Sequence, residues 1–400
     1  MTVPHSIDLP AGAGAAAEYL ERVRGLAPII AETADRAERE RRLPPPLVAA
    51  LHDAGLFRLL LPRPFGGAEI DPPAFSRIIE EVAKHDASTA WCLCQGNGCA
   101  MTAAYLEPAV AQEIWGSDPN AVLAWGPGKG EAVADGDGYR VNGDWSFASG
   151  GRHATWLGGH STVLDADGTP KRTAEGRTVV RTMLFPAAES SMTGVWDVIG
   201  LLGTGSDNFA VRDLTVAHDH SVARDDPAER RYQAPLYQFP AMSLYAAGFS
   251  GTALGIARPM LDALKALATE KTPRLARQRL SEDGVIQSEF AQAEARLGSA
   301  RVYLQRELEE VWAEVVAGGA LAVEGRMRIR LAATYAIHEA KSVADTAYDL
   351  AGATAIFAGT AFERRFRDIH TLTQQLQGRK SHFRTVGAFL FGNPPDLSVV

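Results

Sequence analysis

Apolar residues recur at helical spacing through the first quarter of the chain. The earliest set follows the i, i+4, i+7 order of one helix face and comprises Ala16, Leu20, Val23, Ala27 and Ile30. The prolines of Pro44–Pro46 are predicted to end this helix, and a short second helix is predicted to begin at Leu47. Asp71 precedes a third helix, and the small residues from Asp86 to Leu106 predict a fourth that is packed on all sides, with Asp86 or Ser88 as its cap.

The pattern changes between about Asn120 and Asp226, where apolar and polar residues alternate as in half-buried strands. Asp-Gly dipeptides at 135–138 supply the left-handed positions of a tight hairpin turn. Long helical patterns return after Leu236, at Ala246–Ala268, Val285–Val316 and Glu324–Leu350. We therefore predict a mostly α chain with a central β-domain. Its parts are an N-terminal helical domain (1–119), a middle β-domain of barrel or sandwich type (120–230) and a C-terminal helical bundle (231–400).

Composition narrows the classes of function. The 400 residues are 46% hydrophobic and 22% charged, and the formal net charge is −8 without a long basic run, which argues against nucleic acid as a partner. No apolar stretch reaches the length of a membrane span, and the N-terminus lacks the pattern of a signal peptide, so a cytoplasmic location is expected. Cys92, Cys94 and Cys99 have no second Cys/His cluster to accompany them, so we interpret them as buried free thiols and expect no metal.

Three segments carry a family resemblance: YRVNGDWSFASGGRHATW at 139–156, WDVIGLLGTGSDNFAVRDLTV at 196–216 and RRFRDIHTLTQQ at 364–375. With these segments in this order, the chain resembles the acyl-CoA dehydrogenase superfamily over nearly its whole length. The three segments resemble the reduced-flavin monooxygenases of this fold, which are the oxygenase halves of two-component systems, more than the fatty-acid enzymes. The resemblance implies an N-terminal helical domain, a middle β-barrel and a C-terminal four-helix bundle, assembled as a homotetramer or at least a dimer.

The resemblance also implies a cofactor, reduced FMN or FAD, that a separate flavin reductase supplies. The chain has no Gly-rich dinucleotide fingerprint opening a βαβ unit, so it is not expected to take electrons from NAD(P)H itself. Matched by position, the flavin contacts fall on Trp125, Gly126, Phe147, Ala148, Ser149, Lys271, Arg274, Ala351, Gly352 and Ala353.

Each group of these residues has an expected role. Ser149 would hydrogen-bond near flavin N5, where a hydroxyl donates or accepts without adding charge. A loop at Ala124–Ala132, which includes Trp125 and Gly126, would offer backbone amides to the ring, and Lys271 with Arg274 would hold the phosphate. The turn at Ala351–Thr354 would reach the cofactor of a neighbouring subunit. An ordinary strand end at Ser149 and a solvated loop around Lys271 are the alternative interpretations.

The bases that relatives of this fold use are missing. The glutamate of the fatty-acyl enzymes would fall near Leu376, and abstraction of an α-proton lacks its base without it, which speaks against a typical acyl-CoA dehydrogenase. The histidines that the monooxygenases usually carry match Gln375 and Cys99. His370 and His382 are the nearest titratable side chains to Gln375, and for both a role away from the reacting atoms is favoured.

We therefore expect Ser149, Gln375 and His370 to be the candidate catalytic residues, with Trp91, Cys99 and Gln375 facing the substrate. The leading hypothesis is an oxygenase component that hydroxylates a small aromatic, indole-like or amine substrate through a C4a-hydroperoxyflavin. Because electron-rich substrates attack peroxide without prior deprotonation, such an enzyme needs no base. A flavin-dependent dehydrogenase or oxidase acting on a non-thioester, and a non-catalytic binding protein of the same fold, are the alternatives.

Overall fold

Helices make up the N-terminal part of the computed structural model, which describes residues 13–397. Their bounds are α1 (Ala13–Glu40), α2 (Pro45–Asp53), α3 (Pro72–Ala83), α4 (Ala87–Ala100) and α5 (Pro108–Ala111). Residues 1–12 lie outside the described residues. They include the start of the N-terminal segment, which the sequence predicted is not a signal peptide. No helix within 13–397 is long and apolar enough to cross a membrane.

Local chemistry explains where these helices begin. Asp71 caps α3 by accepting a hydrogen bond from the Ala74 amide at 2.8 Å. Asp86 caps α4 through the Thr89 amide at 2.7 Å, so of the two predicted caps the structure uses the carboxylate. The predicted start of α2 at Leu47 is wrong, because the helix already begins at Pro45. Proline fits the first turn, where an amide hydrogen would have no partner inside the helix.

A seven-stranded mixed sheet forms the middle of the chain. Its strands are β1 (Leu123–Asp135), β2 (Gly138–Ala148), β3 (Trp156–Leu164), β4 (Val180–Pro186), β5 (Ser191–Gly194), β6 (Asp207–Ala217) and β7 (Ser221–Val222). The order is β5-β6-β2-β1-β3-β4-β7; β1 and β3 are parallel, and the other pairs are antiparallel. The predicted hairpin is confirmed as β1–β2, and Gly136 adopts a φ of 56° in its turn. The core of the sheet is aromatic, with Trp145 stacked on Phe209.

The rest of the chain is helical, as predicted. The helices are α6 (Ala241–Glu270), α7 (Gly284–Gly318), α8 (Val323–Ala351), α9 (Glu363–Leu372) and α10 (Ser381–Leu390). The three long ones contain the three long patterns read from the sequence. Helix α6 packs against both α3 and α8, so one apolar core runs from the N-terminal to the C-terminal helices. A mostly α chain around a central β-sheet is thus confirmed.

Candidate active site

A chain of hydroxyl groups starts just beyond the end of β2. Oγ of Ser149 lies 2.7 Å from Oγ of Ser206, which lies 2.7 Å from Oγ1 of Thr204. Thr204 donates its only hydroxyl hydrogen to the carbonyl of Leu201 at 2.8 Å. Thr204 must therefore accept from Ser206, and Ser206 from Ser149, because each hydroxyl carries a single hydrogen. The hydrogen of Ser149 is thus committed to Ser206, and Ser149 meets any further partner as an acceptor.

One lone pair of Ser149 is taken by the indole of Trp91, a residue of α4. Nε1 of Trp91 donates to Ser149 Oγ at 2.9 Å. The Trp91 ring packs on Phe249 of α6 with centroids 4.1 Å apart, and Phe249 in turn stacks on Tyr245 at 5.8 Å. The structure therefore brings together Ser149, predicted for the flavin, and Trp91, predicted for the substrate. The second lone pair of Ser149 stays available to an N–H donor.

Cys99, the other predicted substrate residue, is buried in the same region. Its Sγ lies 3.6 Å from Oη of Tyr245 and 3.8 Å from Nε2 of Gln95. Burial raises the pKa of Cys99 to about 12. It also raises the pKa of Tyr245 well above its usual value. Both side chains are therefore neutral at physiological pH, so neither supplies a base.

Phe147 has an exposed side chain on a strained backbone. Its φ is +59°, in the left-handed region that a bulky residue rarely occupies, and 57% of the residue is exposed. The ring meets Trp196 edge to face with centroids 5.7 Å apart. The Phe147 carbonyl accepts from the amide of Ser149 at 2.8 Å, while Ala148 between them is buried. Strained conformations persist where function requires them, and an exposed aromatic pair beside Ser149 fits a planar ring system such as a flavin.

Trp125 and Gly126 are not on a loop, as the sequence suggested, but inside strand β1. A β-carbon on Gly126 would lie 1.7 Å from the carbonyl oxygen of Ser146, so close packing of β1 on β2 already requires glycine there. The pairing of β1 with β3 is irregular between Gly126 and Gly130. The Trp125 side chain is buried, with the Arg224 guanidinium 4.9 Å above its ring. A flavin contact by this segment stays a prediction.

Lys271, predicted to hold the flavin phosphate, lies beside the Ala351–Thr354 turn, which was predicted to reach the cofactor of a neighbouring subunit. Nζ of Lys271 donates to the carbonyl of Ala351 at 2.7 Å and to Oγ1 of Thr354 at 2.8 Å. Lys271 therefore caps the C-terminus of α8, where unpaired carbonyls favour a cation. Gly352 and Ala353 follow on the surface, and Gly352 has a φ of 59°. Arg274 is exposed and has no hydrogen-bond or ion-pair partner within residues 13–397, so it is free to meet a phosphate.

The polar stretch after Arg367 does not continue as a helix through Gln375. Helix α9 ends at Leu372, and a tight turn at Leu376–Gly378 follows. A β-carbon on Gly378 would lie 2.7 Å from the Thr373 carbonyl oxygen, so this reversal requires glycine. His370 is still on the helix and pairs with Asp345 of α8 at 2.9 Å. Helical spacing therefore does not relate His370 to Gln375 or to His382 beyond Leu372.

The glutamines of this stretch have different environments. Gln375 is half-buried, and its side-chain oxygen accepts from the amide of Gln377 at 2.5 Å. Gln374 is exposed, whereas the side chain of Gln377 is buried and bound by the guanidinium of Arg330. His382 is buried, and its Nε2 donates to the carbonyl of Leu376 at 2.7 Å. The catalytic roles assigned to Gln375 and His370 stay predictions.

Sequence reasoning missed two buried charged groups. Asp368 accepts a hydrogen bond from the amide of Leu201 at 2.6 Å, so Leu201 connects it to the hydroxyl chain, and burial raises the pKa of Asp368 to about 7. Arg330 is 1% exposed. Its spacing from Met327, Ala333 and Ile337 puts it on the apolar face of α8, a signal that helical phase could have supplied. Within 13–397, no three His, Cys, Asp or Glu side chains gather as a metal site would require.

Comparison with known proteins identifies two matching domain models. The model for the N-terminal domain of acyl-CoA dehydrogenase matches residues 17–113, and the model for the C-terminal domain matches residues 247–377. Neither covers the β-sheet. The two matches flank the candidate site, because Trp91 and Cys99 lie in the first and Tyr245 lies just before the second.

Whole-chain relatives are oxygenases. The indole-3-acetate monooxygenase of Pseudomonas putida is 30% identical over 90% of this chain and 90% of its own. The oxygenase subunit HsaA of a flavin-dependent monooxygenase from Rhodococcus jostii is 29% identical over 88% of this chain and 92% of its own. The crystal structure of the 3-HSA hydroxylase from Rhodococcus sp. RHA1 superimposes with a TM-score of 0.86 at 27% identity. It covers 96% of this chain and 99% of that one.

Proposed function

The chain belongs to the flavin-dependent monooxygenase oxygenase components that share the acyl-CoA dehydrogenase fold, and we propose that it hydroxylates a small aromatic, indole-like or amine substrate. It is the oxygenase half of a two-component system and works with reduced flavin from a separate reductase. Reduced flavin, when bound, supplies the electrons with which dioxygen is activated for hydroxylation. The residues of this chain bind, orient and shield the reacting groups.

The position of Ser149 carries the proposal. Its hydrogen goes to Ser206 and one lone pair is taken by Trp91, so the remaining lone pair accepts from an N–H group. The reduced flavin ring carries such a group at N5, whereas oxidised flavin offers only an acceptor there. The hydroxyl chain to Thr204 and Leu201 fixes this polarity. The site therefore favours the reduced form of the cofactor over the oxidised form.

A wall of three aromatic side chains, Trp91, Phe249 and Tyr245, lies beyond Ser149 and supports an aromatic substrate. Trp91 packs at a tilt on Phe249, which stacks on Tyr245, and Cys99 and Gln95 add weak hydrogen-bonding groups at their edge. Offset and edge-to-face contacts with such rings favour another ring. Because the pKa values of Cys99 and Tyr245 are raised, the wall takes no proton from the substrate at neutral pH. Indoles and amines, which are nucleophilic without deprotonation, suit it better than phenols.

The test supplies chemically reduced FMN or FAD, oxygen and a panel of indoles, amines and phenols. We expect hydroxylated product from an indole or amine without any NAD(P)H, and tighter binding of reduced than of oxidised flavin in anaerobic titrations. Tight binding of oxidised flavin that the substrate itself reduces would instead identify a dehydrogenase or oxidase. Failure to bind either form of flavin would identify a non-catalytic member of the fold.

A further inference from the structure

Arg330 is a buried cation that no carboxylate of the described residues neutralises. It is 1% exposed, and no Asp or Glu within residues 13–397 forms an ion pair with it. Its hydrogen bonds go to neutral acceptors: Nη1 donates to Oε1 of Gln377, and Nη2 donates to the carbonyl of Met242 at a long 3.5 Å. Its Nε is buried and has no partner. An isolated buried charge is costly, so a guanidinium in this state calls for a negative partner.

The electrostatic surroundings of Arg330 point the same way. Burial, together with the positive charge of Arg326 one turn away, lowers the pKa of Arg330 to about 10. At neutral pH the guanidinium therefore still carries its charge. His382 lies close enough that the charge of Arg330 adds to burial in lowering the histidine pKa. The imidazole of His382 is therefore neutral, and its Nε2–H donates to the carbonyl of Leu376. Within the described residues, no group that contacts Arg330 supplies a negative charge.

A second polar atom in this cluster is also unsatisfied. Nδ1 of His382 is buried without a partner, and His382 itself is 1% exposed. Nε2 of Gln377 reaches only the sulfur of Met242 at 3.9 Å, a weak acceptor. Three side chains from α8, the 376–378 turn and α10 thus converge with unused donors and one unused acceptor. Buried polar groups are normally paired, and exceptions concentrate where a ligand binds.

The cluster adjoins the candidate active site. Met242 binds Arg330 through its carbonyl and lies three residues before Tyr245 on α6, which is less than one helical turn. Tyr245 contacts Cys99 and stacks in the aromatic wall. Gln375, predicted to face the substrate, holds the backbone of Gln377 through its side chain. Two hydrogen-bonded contacts, through the Met242 carbonyl and through Gln377 to Gln375, thus link Arg330 to residues of the candidate site.

We infer that Arg330, together with Gln377, forms the binding site for a carboxylate carried by the aromatic substrate. The substrate class would then be small aromatic acids, in which a short chain separates the ring from the carboxylate. The open Nε edge and an Nη group of Arg330 would donate to the two carboxylate oxygens, a bidentate geometry that arginine favours. The Gln377 side chain must turn aside, and its amide then becomes a further donor. This inference rests on the proposed function, because it assigns a substituent of the same substrate.

Equilibrium binding without flavin tests the inference. The probes are indole-3-acetate and 3-methylindole, which share a ring and differ in the carboxylate. The wild-type protein should bind the acid at least about tenfold more tightly than the neutral analogue. Arg330→Met should weaken binding of the acid by about 30-fold or more, while 3-methylindole changes by less than about twofold. Arg379→Met, which removes an exposed arginine of the same region, should change neither.

Thermal unfolding provides the second readout. Without ligand, Arg330→Met should be as stable as the wild type or more stable, since it removes an uncompensated buried charge. Indole-3-acetate should raise the Tm of the wild type and not that of the variant. If Arg330→Met does not fold, Arg330→Lys replaces it: charge is kept and the guanidinium fork is lost, so binding of the acid alone should weaken by about tenfold.

The outcomes separate the two claims. Equal affinity for acid and neutral analogue, unchanged in the Arg330 variants, overturns the carboxylate site and leaves the aromatic substrate standing. Absence of binding and of any Tm shift with both probes overturns the aromatic substrate and the carboxylate site together. Loss of both ligands in Arg330→Met and Arg330→Lys alike would assign Arg330 a structural role and would also overturn the inference.

Discussion

The indole Nε1 of Trp91 donates a hydrogen bond to Oγ of Ser149 at 2.9 Å, which ties helix α4 to the segment just after strand β2. The two residues are 58 positions apart, and the sequence suggested them for different ligands. Their contact places the predicted flavin edge and the predicted substrate wall next to each other. An oxygenase requires such proximity, because the reactive oxygen must pass from cofactor to substrate over a few ångströms.

Ser149→Ala should uncouple flavin oxidation from hydroxylation. The change removes the acceptor for the cofactor N–H and leaves Nε1 of Trp91 without its partner. One hydrogen bond to a strongly polar group is worth roughly 1.5–3 kcal/mol, or about one to two decades in rate. The ratio of hydroxylated product to hydrogen peroxide should therefore fall at least about tenfold. Ser190→Ala is the control, because among the described residues that hydroxyl bonds only to the Ala187 carbonyl. An unchanged ratio in Ser149→Ala would refute the assignment.

Phe147→Gly should stabilise the fold and weaken binding of reduced flavin. Glycine adopts a φ of +59° without strain. The relief of backbone strain should therefore exceed the loss of a mostly exposed side chain by about 1 kcal/mol. Loss of the ring beside Trp196 should raise the flavin Kd about tenfold in anaerobic titrations. Asp213→Gly, at a φ of +55°, should leave the flavin Kd unchanged. Equal flavin affinity in Phe147→Gly and wild type would remove Phe147 from the cofactor site.

Gln375→Leu should lower turnover with little effect on stability. The substitution leaves the Gln377 amide without its side-chain acceptor, at a cost of about 1 kcal/mol, and loosens the turn next to Arg330. We expect kcat to fall about tenfold. Gln374→Leu, at the exposed neighbouring position, should retain wild-type kcat. Comparable kcat values for the two leucine variants would place Gln375 outside the site.

The pH dependence of turnover should lack a histidine limb. The candidate wall contains no base, and an unperturbed histidine would titrate near about 6.5. Rates measured between about pH 5.5 and 8.5 with a non-ionising indole should therefore show no such group, in the wild type or in His370→Asn. A limb that disappears in His370→Asn would show that His370 acts as the base.

Asp368→Asn should change how stability varies with pH. Burial raises the folded-state pKa of Asp368 from 3.8 to about 7, so the folded state binds a proton that the unfolded state releases. Wild-type stability should therefore be highest below about pH 4 for this group. The free energy of unfolding should fall by up to about 4 kcal/mol as the pH rises toward about 7, and it should then level off. Asparagine still accepts from the Leu201 amide and does not titrate.

Urea unfolding of both proteins at several pH values measures the difference. The free energy of unfolding of Asp368→Asn relative to the wild type should increase between about pH 4 and 7. Parallel curves would show that Asp368 is ionised in the folded protein across this range, in company with the arginines around it.

The sequence alone was sufficient for the parts of this protein that local interactions determine. Apolar periodicity predicted the three long helices of the C-terminal part, and Asp71 and Asp86 cap their helices because the cap contact spans only three residues. The Asp-Gly turn of the β1–β2 hairpin is local in the same way. The sequence segments around Ser149 and Asp368 identified the family because they are specific to it. They could not show which residue each side chain would contact in the folded protein.

Tertiary structure decided everything that depends on contacts between distant segments. The direction of the Ser149 hydrogen bonds is set by Ser206 and Trp91, which lie 57 and 58 residues away along the chain. The raised pKa of Asp368 follows from its burial. In the glutamine stretch Gly378 reverses the chain, and Arg330, 47 residues before Gln377, selects Gln377 as the buried glutamine. The unpaired charge of Arg330 is visible only after folding, because solvation and pairing are properties of the packed interior and not of local sequence.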